Sequence, residues 1–441
     1  MDGPDGNAIE LEHRTKRLAY LDIPGAGQVY VAGDYAYVGH LPNKDHLGTS
    51  IIDIRDPKNP KIVSTITLDD HGSHSHKARV IGDVMIVNHE RNMTAMGRRA
   101  EELPAARARL DERLGRAPTH ADLAAELGVE EADIAVLEKA EAEKYRNGGF
   151  KVYDVSDRTR PREIAYHRTG GIGVHRFDMD GRYAYISTEM EGYVGNILVI
   201  YDIADPARPQ EVSRWWMPGQ HLAGGERPDW KGRRNRLHHA MRVGDRLWAG
   251  CWHAGVRIID VSDIAKPTTI GAYNYHPPFP EPSHTFFGVP FKLGGRDIAL
   301  AIDEEDQYYS AADAAARRGR PHAPLWVFDV TDPAKMQPLA IFQVSETDSP
   351  WSRTPGTRFG AHQFQEHMKD TLVYCAWFSG GLRIVDIADP TAPQEVGWYV
   401  PQPAAGRRAP QTNDVDVDER GLVYLVDRFG GFDIVEFDRP G

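Results

Sequence analysis

Apolar and polar residues alternate along this 441-residue chain in short runs, and the runs keep ending in the same way. Ile51-Ile-Asp-Ile-Arg-Asp-Pro-Lys-Asn-Pro60 is followed by Val152-Tyr-Asp-Val-Ser-Asp-Arg-Thr-Arg-Pro161 and by Ile200-Tyr-Asp-Ile-Ala-Asp-Pro-Ala-Arg-Pro209. Further copies begin at Ile258, Val327 and Ile384, and a degenerate seventh is Ile434-Val-Glu-Phe437, with Glu436 where the others carry Asp. Alternation with a period of two predicts a half-buried strand. The Asp-rich end predicts a turn, because the carboxylate accepts backbone N–H groups and Pro fixes φ for the reversal. Ahead of each phrase lies another pair of apolar runs, such as 80–87, 183–186, 247–251 and 372–376. Each unit is therefore four antiparallel strands, a propeller blade.

The seventh unit stops at Gly441 before its outermost strand, whereas Arg17-Leu-Ala-Tyr-Leu-Asp-Ile-Pro-Gly25 reads like the outer strand of other units, such as Val212-Ser-Arg-Trp-Trp-Met-Pro-Gly219. The predicted fold is all-β: a seven-bladed β-propeller over residues 16–438, closed by the N-terminal strand. Closure removes the exposed sheet edges that would invite aggregation. The Asp-x-x-Asp-Pro-x-x-Pro phrase after a Leu-x-Ile-Val run resembles the LVIVD-repeat propeller family. The resemblance implies the fold and assigns no activity.

Spacing shows where extra sequence enters. Residues 91–148 interrupt the second unit. There, 114–129 reads as a capped helix, with Thr119 before it, Gly128 after it and apolar residues at helical spacing. The predicted element is a small, lid-like helical insertion. This stretch is similar to a helix-turn-helix module of bacterial sigma factors. However, Glu131, Asp133 and Glu138 follow the turn where a recognition helix would meet phosphates, which argues against DNA binding. Insertions at roughly 305–323 and 218–236 fall in related connections, so one face of the disc is built up.

Composition narrows the chemistry. With 52 Lys+Arg against 64 Asp+Glu the net charge is −12, which disfavours nucleic acid or an anionic membrane as partner. No stretch is apolar enough to span a bilayer, and the opening Met-Asp-Gly-Pro-Asp-Gly lacks a basic, then apolar, leader, so the cytoplasm is the expected compartment. Cys251 and Cys375 fall in different units and are expected as two buried thiols rather than a disulfide.

Aligning the innermost strands by their apolar positions places His76, His175, His239, His284 and His362 in equivalent places, with Gln28 and Asn413 in the remaining two units. Nineteen His in 441 residues do not fill five of seven equivalent positions by chance. Imidazoles at the starts of innermost strands form a ring around the axis, a geometry that suits Fe, Cu, Zn or Mn and not Mg or Ca. The competing reading is a wet channel lined by structural His. The ends of the second strands reach the same face and carry Glu90, Glu189, Glu304 and His253. The glutamates are candidate partners for the second N–H of a ligating imidazole. His71 and His74 read as a His-rich turn.

The layout is similar to that of carotenoid-cleavage oxygenases, propellers whose iron is held by four axial His supported by three Glu. That similarity implies a mononuclear redox metal, Fe(II) first, and carries over no substrate. Aromatics near the same connections, among them Trp215, Trp216, Trp252, Phe286, Phe287, Tyr308, Tyr309, Trp377 and Phe378, suit an apolar or aromatic small molecule. The expected function is a non-haem iron oxygenase. The alternatives are a non-catalytic propeller scaffold or ligand-binding protein, and a zinc-type hydrolase or lyase.

Overall fold

The computed structural model describes residues 9–70, 72–92, 95–142, 145–230, 233–309 and 321–439. Among these, 28 of the 30 described strands fall into seven antiparallel ladders of four, and Glu12–His13 pairs on Gln394–Tyr399. The first ladder is Ala26–Ala32, Tyr35–His40, Leu47–Asp53 and Lys61–Thr67. The second is Ala78–Ile81, Val84–Arg91, Gly149–Asp154 and Arg162–Arg168, with Ser73–His74 also pairing on Val84–Arg91. The third runs from Gly170–Met179 to Gln210–Trp215, the fourth from Asn235–Val243 to Thr268–Tyr273, and the fifth from Ser283–Gly288 to Gln337–Phe342. The sixth runs from Ala361–Phe364 to Gln394–Tyr399.

The seventh ladder, Thr412–Val417, Val423–Asp427 and Gly430–Phe437, takes its fourth strand from the other end of the chain, where Thr15–Pro24 pairs with Gly430–Phe437. Each ladder's first strand touches that of the next, and Thr412–Val417 touches Ala26–Ala32. The apolar faces of neighbouring ladders interlock between them, as where Leu300, Ile302 and Val327 meet Val373, Cys375 and Val385. Cys251 and Cys375 are buried free thiols.

The Asp phrases make the turns expected of them. Asp53, Asp154, Asp202, Asp260, Asp329 and Asp386 each accept, through Oδ1, the N–H two residues on, at 2.8–3.0 Å. In the connection that follows, Asp56, Asp157, Asp205, Asp263, Asp332 and Asp389 do the same. These turns join third to fourth strands. Connections from second to third strands and from one ladder to the next leave the opposite ends of these strands.

The helical insertion has a core of its own. Ala95–Leu114, His120–Leu127 and Glu131–Ala142 bury Leu103, Leu110, Leu123, Leu127, Ile134 and Leu137 against one another. Thr119 caps the middle helix in a reciprocal box with Asp122, and Gly128 ends it at φ 63°, the left-handed conformation that glycine accepts without cost. Arg107 pairs with Glu138 and Glu141, so acids of the third helix are spent inside the module.

Candidate metal centre

In most of the first strands the ladder skips one residue near its start. The register passes from Val174 to Arg176, from Ser283 to Thr285, from Ala361 to Gln363 and from Thr412 to Asp414. The skipped residues are His175, His284, His362 and Asn413. In the fourth ladder the irregularity lies between Asn235 and His239 and frees His238. In the first it frees Gly27. A bulge of this kind re-aims a side chain out of the alternation, and here it turns the skipped side chains toward one another.

The result is an arc of imidazoles: His74, His76, His175, His238, His284 and His362. Successive ring centroids lie 4.6, 5.3, 4.8, 3.9 and 4.4 Å apart. Gly27 completes the circle by being small, because a Cβ there would stand 2.8 Å from the His76 side chain.

Second-strand carboxylates face this arc. Glu90 accepts from His175 Nδ1 at 2.9 Å and stands 3.4 Å from His74 Nε2 and 3.7 Å from His76 Nδ1. Glu304 stands 3.9 Å from His284 Nε2 and 3.8 Å from His362 Nε2, and accepts from Arg358 Nη1 at 2.8 Å. Two groups therefore bring two imidazoles and one carboxylate within 4.8 Å: His74, His76 and Glu90, and His238, His284 and Glu304.

The hydrogen-bond network assigns the tautomers. His238 Nδ1 donates to the His284 carbonyl at 2.7 Å, and His362 Nδ1 donates to the Asn413 carbonyl. His175 Nδ1 is committed to Glu90. The Nε2 lone pairs of His175 and His238 then face each other at 2.9 Å. Two acceptors at that distance repel unless a cation or proton lies against both. Two nitrogens that share one ion at about 2.1 Å stand roughly 3 Å apart, and the 2.9 Å separation fits that spacing. His74 Nδ1 is buried without a hydrogen-bond partner.

Electrostatics keep these groups in ligand form. Burial first, and neighbouring positive charge second, holds His76, His238, His284 and His362 well below the usual imidazole range. Burial also lowers His175, against the pull of Glu90. Burial would raise both carboxyls, but His175 holds Glu90 down, and Arg358 with Arg428 holds Glu304 down. Neutral imidazoles beside ionised carboxylates are the donor set that borderline divalent transition metals prefer.

The structure redistributes some of the expected site residues. His76, His175, His284, His362, Glu90 and Glu304 come together. His239 does not: its Nε2 donates to the Phe177 carbonyl at 3.2 Å and its Nδ1 lies 3.6 Å from Glu366, so the neighbouring His238 takes its place in the arc. Glu189 is turned away and accepts from the Ile172 N–H at 3.0 Å. His253 lies outside the arc, with Nδ1 accepting from the Arg234 N–H at 3.3 Å. His74, read as part of a turn, belongs to the arc, and His71 lies outside the described residues.

Grouping as two sets of two His and one Glu also differs from the single four-His centre that the layout similarity implied. Among the aromatics, Trp252 stacks on His238 at 5.2 Å and Phe378 on His362 at 4.8 Å, whereas Phe286, Phe287 and Trp377 belong to the apolar core.

The LVIVD repeat family matches residues 25–67, 177–215, 244–275 and 370–400. No curated protein matches the chain. Among solved structures, the chain is similar to the RRP9 WD40 repeats (7% identity, 98% of this chain and 100% of that one, TM-score 0.56). It is also similar to a chain of the mitotic checkpoint complex (10% identity, 98% and 97%, TM-score 0.54) and to U3-55K (7%, 95% and 98%, TM-score 0.53). At these identities the likeness is one of fold alone. Repeats, strand ladders and structural likeness agree that the chain is a β-propeller carrying LVIVD repeats.

Proposed function

We propose that the seven ladders are the blades of one closed ring and that the imidazole arc at its axis holds a transition metal. On this reading the protein is a metal-dependent oxidoreductase, a non-haem Fe(II) oxygenase acting on an apolar or aromatic small molecule. The observation that carries the reading is the pair of bare Nε2 atoms of His175 and His238 at 2.9 Å, beside His284 and Glu304.

Two imidazoles and one carboxylate are the donors characteristic of non-haem iron oxygenases, and neither set contains the thiolates that would select zinc or copper in a soft site. His238, His284 and Glu304 would hold Fe(II), which would supply redox chemistry toward O₂. Mn, Cu and Zn suit the same donors less specifically.

The protein's part is positioning. Glu90 fixes the His175 ring, the His284 carbonyl fixes His238, and the Asn413 carbonyl fixes His362, so each presents Nε2. Trp252 and Phe378 cover flanking rings and exclude water from them.

The test is metal analysis of protein purified without chelators, then chelated and reloaded anaerobically with Fe(II). The expected result is stoichiometric binding, abolished in the His238→Ala/His284→Ala double variant, with O₂-dependent spectral change of the loaded protein. A folded protein that takes up no Fe(II), Mn(II), Cu(II) or Zn(II) would overturn the metal reading. Tight Zn(II) uptake with no response to O₂ would overturn the oxidoreductase.

A further inference from the structure

Two arginines beside the arc, one next to each neighbour of His284, are held in matching ways. The guanidinium of Arg358 lies 3.8 Å from the Phe378 ring, and Phe378 packs on His362 at 4.8 Å. The guanidinium of Arg236 lies 4.9 Å from the Trp252 ring, and Trp252 packs on His238 at 5.2 Å. Each aromatic therefore bridges an arginine to an imidazole of the arc. Both arginines also feel Glu304.

Arg358 is 3% exposed and uses only Nη1, which donates to Glu304 Oε1 at 2.8 Å and to the Glu305 carbonyl at 3.1 Å. Among the described residues, its Nε and Nη2 are buried without a hydrogen-bond partner, and so is the Nε of Arg236. Nε and Nη2 form the side-on edge of a guanidinium, whose two parallel N–H groups match the two oxygens of a carboxylate. Glu304 and an aromatic ring pin the charge while that edge stays unspent, and an unspent buried donor pair calls for an explanation.

We propose that this edge, with Arg236 on Trp252 as a second positive group, binds the carboxylate of an aromatic acid whose remaining atoms lie over the arc. The proposal rests on the metal reading only for the fate of the substrate, since the carboxylate site is built from Arg358, Arg236, Phe378 and Trp252 alone. Trp252, Phe378 and the half-exposed Tyr308, 5.2 Å from Arg358, supply flat apolar surface for the ring. The His175 side chain, 23% exposed, marks where the arc opens to solvent.

The test uses cinnamate and cinnamamide, which share a shape and differ in charge. Binding to the full chain is measured by calorimetry, both as purified and after chelation, with metal content determined on the same samples. Cinnamate is expected to bind at least tenfold tighter than cinnamamide. Arg358→Gln is expected to erase that ratio, Arg358→Lys to leave part of it, and Arg236→Gln to reduce it. Equal affinities, no binding of either probe, or a ratio that survives in R358Q would overturn the proposal. So would inorganic phosphate competing as well as cinnamate, which would mark a general anion site. The wild-type ratio is decisive even if a variant fails to fold. A preserved ratio in protein that binds no metal would sink the metal reading and leave this one standing.

Discussion

The first strands of the ladders carry two layers of charged and ionisable side chains, a few residues apart and solved in opposite ways. In the outer layer, imidazoles and two carboxylates face each other across gaps of 2.9–3.9 Å. In the inner layer, Arg176 meets Glu366 at 2.7 Å, Arg79 pairs with the same carboxylate and with Asp178 at 3.1 Å, and Gln363 donates to Glu366 at 2.9 Å. The inner layer carries its own counter-charges. In the outer layer Glu304 meets Arg358 at 2.8 Å, whereas Glu90 meets imidazoles. The contrast is the one expected between a structural ion network and the metal site proposed above, because buried charges persist only when they are paired.

The most drastic test sets neighbours against each other. His238→Ala is expected to abolish stoichiometric metal binding, whereas His239→Ala, one residue along the same strand, is expected to retain it; metal analysis of the two variants decides. Equal loss in both would erase the distinction between layers. Removing the centre of the inner layer should show the converse. Glu366→Ala leaves Arg79 and Arg176 without their shared carboxylate and is expected to cost about 3–5 kcal/mol in urea unfolding, with the metal stoichiometry of the folded protein unchanged.

A subtler test follows from pH. Burial pushes the inner-layer Asp414 up to about 7 from an ordinary 3.8, against Arg176 and Lys77. Between those values the folded chain keeps a proton that the unfolded chain releases, so this residue's contribution to stability falls as pH rises. Asp414→Asn is spared that loss. Its stability relative to the parent should climb by up to about 1.4 kcal/mol per pH unit across that window, read from unfolding curves at pH 5, 6 and 7. A pH-independent difference would show that Asp414 is ionised throughout.

The smallest effect serves as a control. Thr119→Ala removes the cap of a helix whose core is separate from both layers, and should cost about 1 kcal/mol, seen as faster amide exchange confined to 95–142, with metal binding untouched.

Much of the architecture was legible because repetition wrote it six or seven times. The Asp phrases specify their own turns through contacts two residues apart, and the insertion declares its helix through Thr119 and Gly128. Four of the five predicted ring imidazoles reach the arc for a related reason: the residues that follow them hold a common alternation. The fourth ladder broke the inference at the point where two histidines stand side by side. Alternation predicts that one of His238 and His239 faces the axis, but the bulge that selects between them depends on how the strand is met by Trp252 and Gly250 of its partner.

Local pattern thus determined the strands, turns and helix caps, since each depends on residues close in sequence, and repetition placed histidines at equivalent points of successive ladders. Only the tertiary structure decided that His238 replaces His239, that His74 joins the arc, that Glu189 and His253 stand aside, and that Arg358 and Arg236 stand beside the arc. Those outcomes depend on bulge register and on loops from separate blades meeting in space, and neither leaves a periodic trace in the chain.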